Sequence, residues 1–171
     1  MININSIQVP TITRRLATLN DVEDILTLIV DAKEQMARNG VQQWNDAYPN
    51  EAVVLADICH QSLWLYGSAN NACVTIVRHG NQCFIKRLMV DSEQTGCGIA
   101  SRMIDDVVSR GISSNTKEIR VLTNHTNQPM INLVRKKQFS QIGQLIMPDR
   151  PQFGNFIEFQ KDVQSTKPSP N

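Results

Sequence analysis

The sequence has almost no excess of charge of either sign. Its 171 residues include 17 Lys and Arg against 16 Asp and Glu, which gives a formal net charge of +1. Non-selective binding of nucleic acid or of an anionic membrane surface requires a surplus of basic side chains. The composition provides no such surplus, so neither a nucleic-acid partner nor a membrane partner is expected.

The sequence also lacks the cysteine patterns of metal sites. Its cysteines, Cys59, Cys73, Cys83 and Cys97, form no Cys-x-x-Cys pair and have no histidine at zinc-ligand spacing, so no metal site is predicted. In a chain that is not cysteine-dense they are interpreted as reduced thiols, which indicates the cytoplasm. The first residues lack the basic and apolar segments of an export signal, and the longest apolar run, 25–30, is far too short to span a bilayer.

The length and the apolar content predict one domain with its own core. Hydrophobic residues make up 41% of the chain, which suits a globular fold, and 171 residues fit a single domain. We expect this domain to span residues 11–163, between a polar arm at 1–10 and a polar, disordered tail at 164–171.

Hydrophobic periodicity and turn residues predict secondary structure in the order β-α-α-β-β-β-α-β-α-β-β. Asn20 and Glu23 have the spacing of a capping box for the first helix, which Gly40 ends, and Asn50 caps the second. The third helix is expected to end at Gly111. This order indicates an α/β fold with one mixed sheet flanked by helices. Strands are predicted at residues 11–17, 63–67, 72–78, 83–90, 118–123, 139–147 and 155–160.

The segment from Val90 to Ala100 is the most informative part of the sequence. A predicted strand ends at Val90, a loop carries Gly96 and Gly98, and a helix begins near Ile99. Glycines let a ligand approach the backbone closely, and free N–H groups at a helix N-terminus bind phosphate groups. Three interpretations compete: a glycine-containing turn without a ligand, a dinucleotide site and an acyl-CoA site.

The sequence disfavours two well-known nucleotide-binding motifs. A dinucleotide fingerprint requires G-x-G-x-x-G, whereas Ser101 occupies the third glycine position, and no acidic residue ends a strand about 20 residues later. No Gly-Lys-Ser/Thr follows the glycines, which excludes a phosphate-binding P-loop. The acyl-CoA interpretation remains beside the turn without a ligand, and a family resemblance favours it.

Two motifs resemble those of the GCN5-related N-acetyltransferase (GNAT) superfamily, and the resemblance covers residues 11–161. The segment 95–100, Thr-Gly-Cys-Gly-Ile-Ala, is similar to the family's Q/R-x-x-G-x-G/A, with Thr95 where Gln or Arg is usual. The segment 127–139 is similar to N-x-x-A-x-x-L-Y-x-K-x-G-F, with Val in place of the Tyr and Gln in place of the Gly. A third stretch, 42–50, resembles a Q-W-x-x-x-Y-P-N stretch of uncharacterised bacterial members.

The resemblance implies a GNAT-like fold with a mostly antiparallel sheet, and transfer of an acyl group, normally acetyl, from CoA to an amine. Acetyl-CoA is then the co-substrate, the acceptor is an amine of a small molecule or a protein, and a homodimer is a further expectation. The strand edge would hold the pantetheine arm, the loop amides the pyrophosphate, and Asn127 the arm near its thiol. The implied cofactor-binding residues are Leu88, Met89, Val90, Thr95, Gly96, Cys97, Gly98, Ile99, Ala100 and Asn127.

The group that takes the proton from the amine is not identified by the resemblance. Phe84 stands where some members carry a strand Glu, and Val134 cannot act as the acid that a Tyr provides. The remaining catalytic candidates are Asp91 and Glu93 at the phosphate loop and His125 after the next strand. The loss of the usual groups favours a second hypothesis, a catalytically weak GNAT-fold protein that binds acyl-CoA as a sensor or interaction module.

The acceptor pocket has four candidate residues. Trp44 and Tyr48 lie in a predicted loop and are candidates for lining an amine pocket, or else they are apolar plugs beneath that loop. Lys86 and Arg87 are candidates for contacting an anionic group of the acceptor or of CoA, or else they form a solvated strand face.

Overall fold

The structure is a computed structural model that describes residues 12–163 as a seven-stranded sheet with four α-helices. The predicted arm at 1–10 and tail at 164–171 lie outside the described residues. The helices are α1 (Val22–Arg38), α2 (Glu51–Cys59), α3 (Ile99–Ser113) and α4 (Gln128–Lys136). The strands are β1 (Arg14–Leu16), β2 (Leu63–Tyr66), β3 (Ala72–His79), β4 (Gln82–Val90), β5 (Glu118–Asn124), β6 (Ser140–Ile146) and β7 (Asn155–Asp162).

Neighbouring strands run antiparallel with one exception. The strand order is β1-β2-β3-β4-β5-β7-β6, and within residues 12–163 only β4 and β5 form a parallel pair. They are parallel because α3 carries the chain back along the sheet before β5 begins, whereas β2, β3 and β4 follow one another through short turns. The predicted α/β fold with a mixed, mostly antiparallel sheet flanked by helices is confirmed.

The predicted capping box of the first helix is wrong. Asn20 and Glu23 do not form it; instead the backbone N–H of Thr18 donates to the Asp21 carboxylate over 2.8 Å. A short 3-10 turn at Leu19–Asp21 therefore precedes α1, which begins at Val22. The acceptor is an Asp rather than the expected Glu, and it comes two residues earlier in the chain than Glu23.

Gly111 does not end the third helix as predicted. The helix α3 continues to Ser113, and a Cβ on Gly111 would lie only 3.4 Å from the Ile119 side chain. The glycine therefore serves close packing of α3 on β5 rather than a helix end. The cap predicted for the second helix is confirmed, because the Asn50 side chain accepts a hydrogen bond from the Val53 N–H over 3.1 Å.

Two apolar clusters hold the sheet between two layers of helices. One cluster packs α1 and α2 on one face of the sheet, and the other packs α3 and α4 on the opposite face. Both include residues of β4, so this strand is held from both sides. The first cluster includes Ile25, Leu28, Val54, Leu65, Cys73 and Met89, and the second includes Met103, Ile104, Val134, Val74, Ile85 and Phe159.

Candidate active site

The parallel strands β4 and β5 separate halfway along their length. They are paired from Gln82 opposite Glu118 to Ile85 opposite Val121, and the register ends there. Beyond this point β4 contains a bulge, since Arg87 and Leu88 together oppose one residue of β3, and Arg87 has a φ of +49°. The bulge turns the last residues of β4 away from β5 and opens a gap in the middle of the sheet.

A cavity of about 200 Å³ lies on one side of this gap. Its walls come from α1, the end of β4, the loop before α3, and the start of α4. Six of the ten predicted cofactor-binding residues line it, namely Leu88, Met89, Val90, Thr95, Ala100 and Asn127. The other four are not among its lining residues: Gly96, Cys97 and Gly98 lie in the loop before α3, and Ile99 is the first residue of that helix.

The loop before α3 forms an open cradle at a helix N-terminus. Gly96 and Gly98 have φ values of +79° and +77°, which side chains with a Cβ rarely adopt. No described heavy atom lies within 4 Å of a Cβ built on either glycine, so the space above them is open. The first backbone bond of the helix runs from the Arg102 N–H to the Gly98 carbonyl. The amides before it have no partner within the helix and favour an anion.

One backbone group at the end of β4 is already engaged. The Val90 carbonyl accepts a hydrogen bond from Gln35 Nε2 over 2.9 Å, and Asp31 accepts from the backbone N–H of Ser92 over 2.8 Å. Both partners lie on α1, so this helix holds the end of β4 and the start of the loop. A ligand at this strand edge would therefore bond to backbone groups of 88–90 that are bonded neither to Gln35 nor to β3.

A second cavity, of about 160 Å³, is lined by residues of β4, β5 and β7 and of the loops after α1 and β6. It contains the four residues suggested for the acceptor, Trp44, Tyr48, Lys86 and Arg87. It also contains residues that sequence reasoning missed, namely Gln43, Arg120, Met147, Arg150 and Phe156. They come from separate loops and strands, and no spacing in the sequence connects them.

A cavity of about 30 Å³ joins the two larger ones. It shares Leu88 and Asn127 with the first cavity, and it shares Gln43, Trp44 and Arg87 with the second. It lies beside Val121 and Leu122, where β5 has lost its pairing with β4. We call this small cavity the junction. A larger cavity of about 580 Å³, elsewhere on the sheet, contains none of the predicted site residues and is not the candidate site.

The Gln43 side-chain amide at the junction has a fixed orientation. Its oxygen accepts from Thr123 Oγ1 over 2.8 Å, from the Asn124 backbone N–H over 3.2 Å and from Asn127 Nδ2 over 2.9 Å. A backbone N–H can only donate, so the atom that faces it is the amide oxygen. The Gln43 NH₂ group therefore points the other way, and it makes no hydrogen bond to a described residue.

Asn127 supports this arrangement from the start of α4. Its side-chain oxygen accepts from the Met130 N–H over 3.3 Å, which caps the helix, while its amide nitrogen donates to Gln43. Asn127 is buried, yet it lines both the first cavity and the junction. In the structure this residue both positions Gln43 and faces the space where a ligand would lie.

Arg87 occupies the bulge and connects the second cavity to the helix layer. Its Nε donates to Asp57 over 3.1 Å, and its Nη1 donates to the Tyr48 hydroxyl over 2.8 Å. Burial alone would lower the pKa of Arg87, but Tyr48 and Asp57 outweigh that effect and raise it, so the guanidinium stays charged. Asp57 also accepts from the Thr75 hydroxyl over 2.7 Å, which holds the pair in place.

The structure does not bring the three catalytic candidates together. Asp91 accepts a hydrogen bond from the Glu93 N–H over 2.8 Å and so caps the turn after β4. Glu93 and His125 are exposed, and none of the three lines the two cavities or the junction. Val134 is fully buried in the core and cannot reach the junction. Among the described residues, the polar side-chain groups at the junction are those of Gln43, Arg87, Thr123 and Asn127 and the indole N–H of Trp44.

A bulged strand that parts from its parallel neighbour above a glycine loop and a helix N-terminus defines an acetyltransferase-type α/β protein. The profile of the acetyltransferase (GNAT) family matches residues 29–139, more than half of the chain. The chain belongs to this family, and the resemblance stated from the two motifs is confirmed. No helix within residues 12–163 is long and apolar enough to cross a membrane.

Solved structures of this family share the fold at low sequence identity. An acetyltransferase of the GNAT family from Streptococcus agalactiae superposes with a TM-score of 0.77 and is 20% identical, over 90% of this chain and 96% of that one. The PaiA N-acetyltransferase of Thermoplasma acidophilum, crystallised with coenzyme A, superposes with a TM-score of 0.71 and is 12% identical, over 90% of this chain and 99% of that one. The ribosomal-protein-S18-alanine N-acetyltransferase of Escherichia coli superposes with a TM-score of 0.69 and is 10% identical, over 94% of this chain and 99% of that one. No curated protein matches the chain.

Proposed function

We propose that the protein is an N-acetyltransferase that transfers an acetyl group from acetyl-CoA to an amine. The observation that carries this proposal is the junction, where a cavity beside the glycine loop meets a separate cavity lined by Trp44, Tyr48 and Arg87. Two substrates, one bound in each cavity, would meet there with their reacting atoms close together, which is itself a large source of rate.

The residues of the first cavity fit coenzyme A. The open cradle above Gly96 and Gly98 leaves room for a pyrophosphate beside the unpaired amides of α3, and the strand backbone at 88–90, which borders the first cavity, suits the amides of a pantetheine arm. The complex of the T. acidophilum relative with coenzyme A supports this assignment. Because the proposed contacts are mainly to backbone groups, Thr95 in place of Gln or Arg leaves them intact.

Acetyl-CoA supplies the acyl group as a reactive thioester. In the overall reaction the amine nitrogen bonds to the acyl carbon, the carbon–sulfur bond breaks, and one amine proton ends on the released thiol. The carbonyl oxygen gains negative charge as the nitrogen attacks, and a fixed donor at that oxygen lowers the barrier. We assign this donor role to the NH₂ group of Gln43, whose orientation is set by three hydrogen bonds.

A second candidate function is an acyl-CoA-binding protein with little turnover. It is favoured by Val134 and Phe84, neither of which can supply the acid or base that many relatives use. Release of free CoA from acetyl-CoA across a panel of amines separates the two functions. Amine-stimulated release supports the enzyme, whereas tight acetyl-CoA binding with no release stimulated by any amine would favour the sensor.

A cytoplasmic location and a homodimer remain proposals. The free state of all four cysteines supports the cytoplasmic location.

Cysteine labelling tests the proposed cofactor loop without any acceptor. Cys97 and Cys59 are exposed, whereas Cys73 and Cys83 are buried, and burial raises the pKa of Cys73 to about 12. We expect a thiol reagent to modify Cys97 and Cys59 first, and we expect coenzyme A to protect Cys97 alone. Mass spectrometry of the labelled peptides measures both sites in one sample. Equal labelling of Cys97 with and without saturating CoA would contradict the placement of CoA above this loop.

A further inference from the structure

The second cavity presents positive charge without a lining carboxylate. Four of its lining side chains are cationic, namely Lys86, Arg87, Arg120 and Arg150. No Asp or Glu is among the described residues that line it. The carboxylates that pair with the arginines are Asp57, Glu118, Glu158 and Asp149, which all lie outside the lining. These cations would therefore repel an acceptor with a second ammonium group, and no lining carboxylate would pair with that group.

Arg150 is the cation with the most unused hydrogen-bonding capacity. Its side chain is only 8% exposed, and a guanidinium carries five N–H donors. It makes one hydrogen bond to a described residue, from Nη1 to the Gln43 carbonyl over 3.2 Å. Asp149 forms an ion pair with Nε over 3.2 Å but lies outside hydrogen-bonding geometry, so Nε is buried without a hydrogen-bond partner. A buried charged group with free donors is costly unless a ligand satisfies it.

Two aromatic rings lie beside the guanidinium of Arg150. Its guanidinium lies 4.4 Å from the centre of the Tyr48 ring and 5.6 Å from that of Phe156. Stacking of this kind fixes the plane of the guanidinium, which suits two parallel hydrogen bonds to a carboxylate. Trp44 and Phe84 complete an apolar wall in the same cavity. The lining therefore combines one preorganised anion-binding group with room for an aromatic or aliphatic body.

We propose that the acceptor is a small amine that carries a carboxylate, such as a free amino acid with an aromatic or large apolar side chain. The carboxylate binds Arg150, the apolar side chain packs against Trp44 and Phe84, and the amine faces the junction. The surrounding cations also disfavour the protonated form of the amine, which cannot attack the acyl carbon. This inference rests on the proposed N-acetyltransferase function and names the substrate class of the same site.

Matched amino acids and amino acid amides test the proposal directly. We would measure kcat/KM for L-phenylalanine, L-phenylalaninamide, L-methionine and L-methioninamide, with spermidine as a polycation. We expect each acid to exceed its amide by about tenfold or more, because a hydrogen-bonded charge pair contributes that much to binding. Higher values for the amides or for spermidine would overturn the proposal. A marked preference for peptides over free amino acids would also overturn it.

Variants of Arg150 assign the preference to one residue. In Arg150→Gln we expect kcat/KM for the acids to fall about tenfold to a hundredfold while the values for the amides stay within about threefold. Arg78→Gln makes the same charge change on an exposed residue outside this cavity, and it should preserve the preference. Arg150→Lys keeps the charge and should keep part of the preference, which provides a test if Arg150→Gln does not fold. Unchanged acid-to-amide ratios in folded Arg150 variants would overturn the assignment.

Binding measurements separate failure of this proposal from failure of the proposed function. Trp44 lines the cavity, so its fluorescence should change when L-phenylalanine binds, and Trp44→Phe removes that signal while leaving the other tryptophan, Trp64. Saturable binding of L-phenylalanine that weakens in Arg150→Gln, without turnover of any amine, would retain the acceptor site and reject the enzyme. Turnover of neutral amines with no binding of amino acids would retain the enzyme and reject the carboxylate-bearing acceptor.

Discussion

Gly98→Val is expected to weaken coenzyme A binding by about a hundredfold or more. Gly98 caps α3 in a left-handed conformation, and the space above its Cα is open in the structure. A valine side chain would occupy that space and separate a phosphate from the amides of the loop. Loss of two charge-assisted hydrogen bonds at about 1.5–3 kcal/mol each accounts for an effect of this size.

A second glycine provides the control for backbone strain. Valine at a φ of +77° is strained, so Gly98→Val will also lower the free energy of unfolding, by roughly 1–2 kcal/mol. Gly80 has a φ of +60°, no heavy atom within 4 Å of a built Cβ, and a position in the turn between β3 and β4. Gly80→Val should show a similar loss of thermal stability with normal CoA affinity by calorimetry. Equal CoA affinity in the two variants would contradict the proposed phosphate position.

The strand and helix order could be predicted because its signals are local. Alternation of apolar residues, the Asn50 cap and the glycines before α3 each act within a few residues of their own position. The two errors at helix ends have long-range or competing causes. Gly111 depends on how closely α3 approaches β5, and the cap of α1 depends on a choice between two acidic residues near the same turn.

The two sides of the candidate site differ in how far they could be predicted. The loop at 95–100 acts through its own backbone, so a short motif is enough to find it. The second cavity draws on residues far apart in the chain: Arg150 donates to the carbonyl of Gln43 across 107 positions. The bulge in β4 and the loop after β6 contribute to this lining through Arg87 and Arg150. No spacing in the sequence predicts that these residues lie close to Gln43.

The near-neutral net charge of the chain is compatible with the binding of two anionic ligands. The proposed contacts to coenzyme A are mainly backbone groups, which need no surplus of basic side chains. The three arginines of the second cavity are paired with carboxylates outside its lining, so they add nothing to the net charge. The fold thus places cations in the cavity lining and their carboxylate partners outside it. The overall composition therefore does not reveal a local preference for an anionic acceptor.

Gln43→Glu is expected to lower kcat by about a hundredfold to a thousandfold with little change in CoA affinity. The variant is almost the same size, and one carboxylate oxygen can still accept from Thr123, Asn124 and Asn127. It replaces the NH₂ group that we propose as the donor with an oxygen that cannot donate. Removal of one donor to a carbonyl oxygen that gains charge typically costs a factor of this size in kcat.

The matched control for Gln43→Glu is its neighbour. Gln42 is exposed and lines neither the two cavities nor the junction, so Gln42→Glu makes the same change in charge without removing a donor from the site. We expect normal kcat in that variant. In Gln43→Glu, kcat and kcat/KM should fall together, because a donor that acts mainly in the transition state contributes little to KM. A raised KM with normal kcat would instead mean that Gln43 only binds the acceptor, and a raised kcat would mean that a base, not a donor, is what the junction lacks.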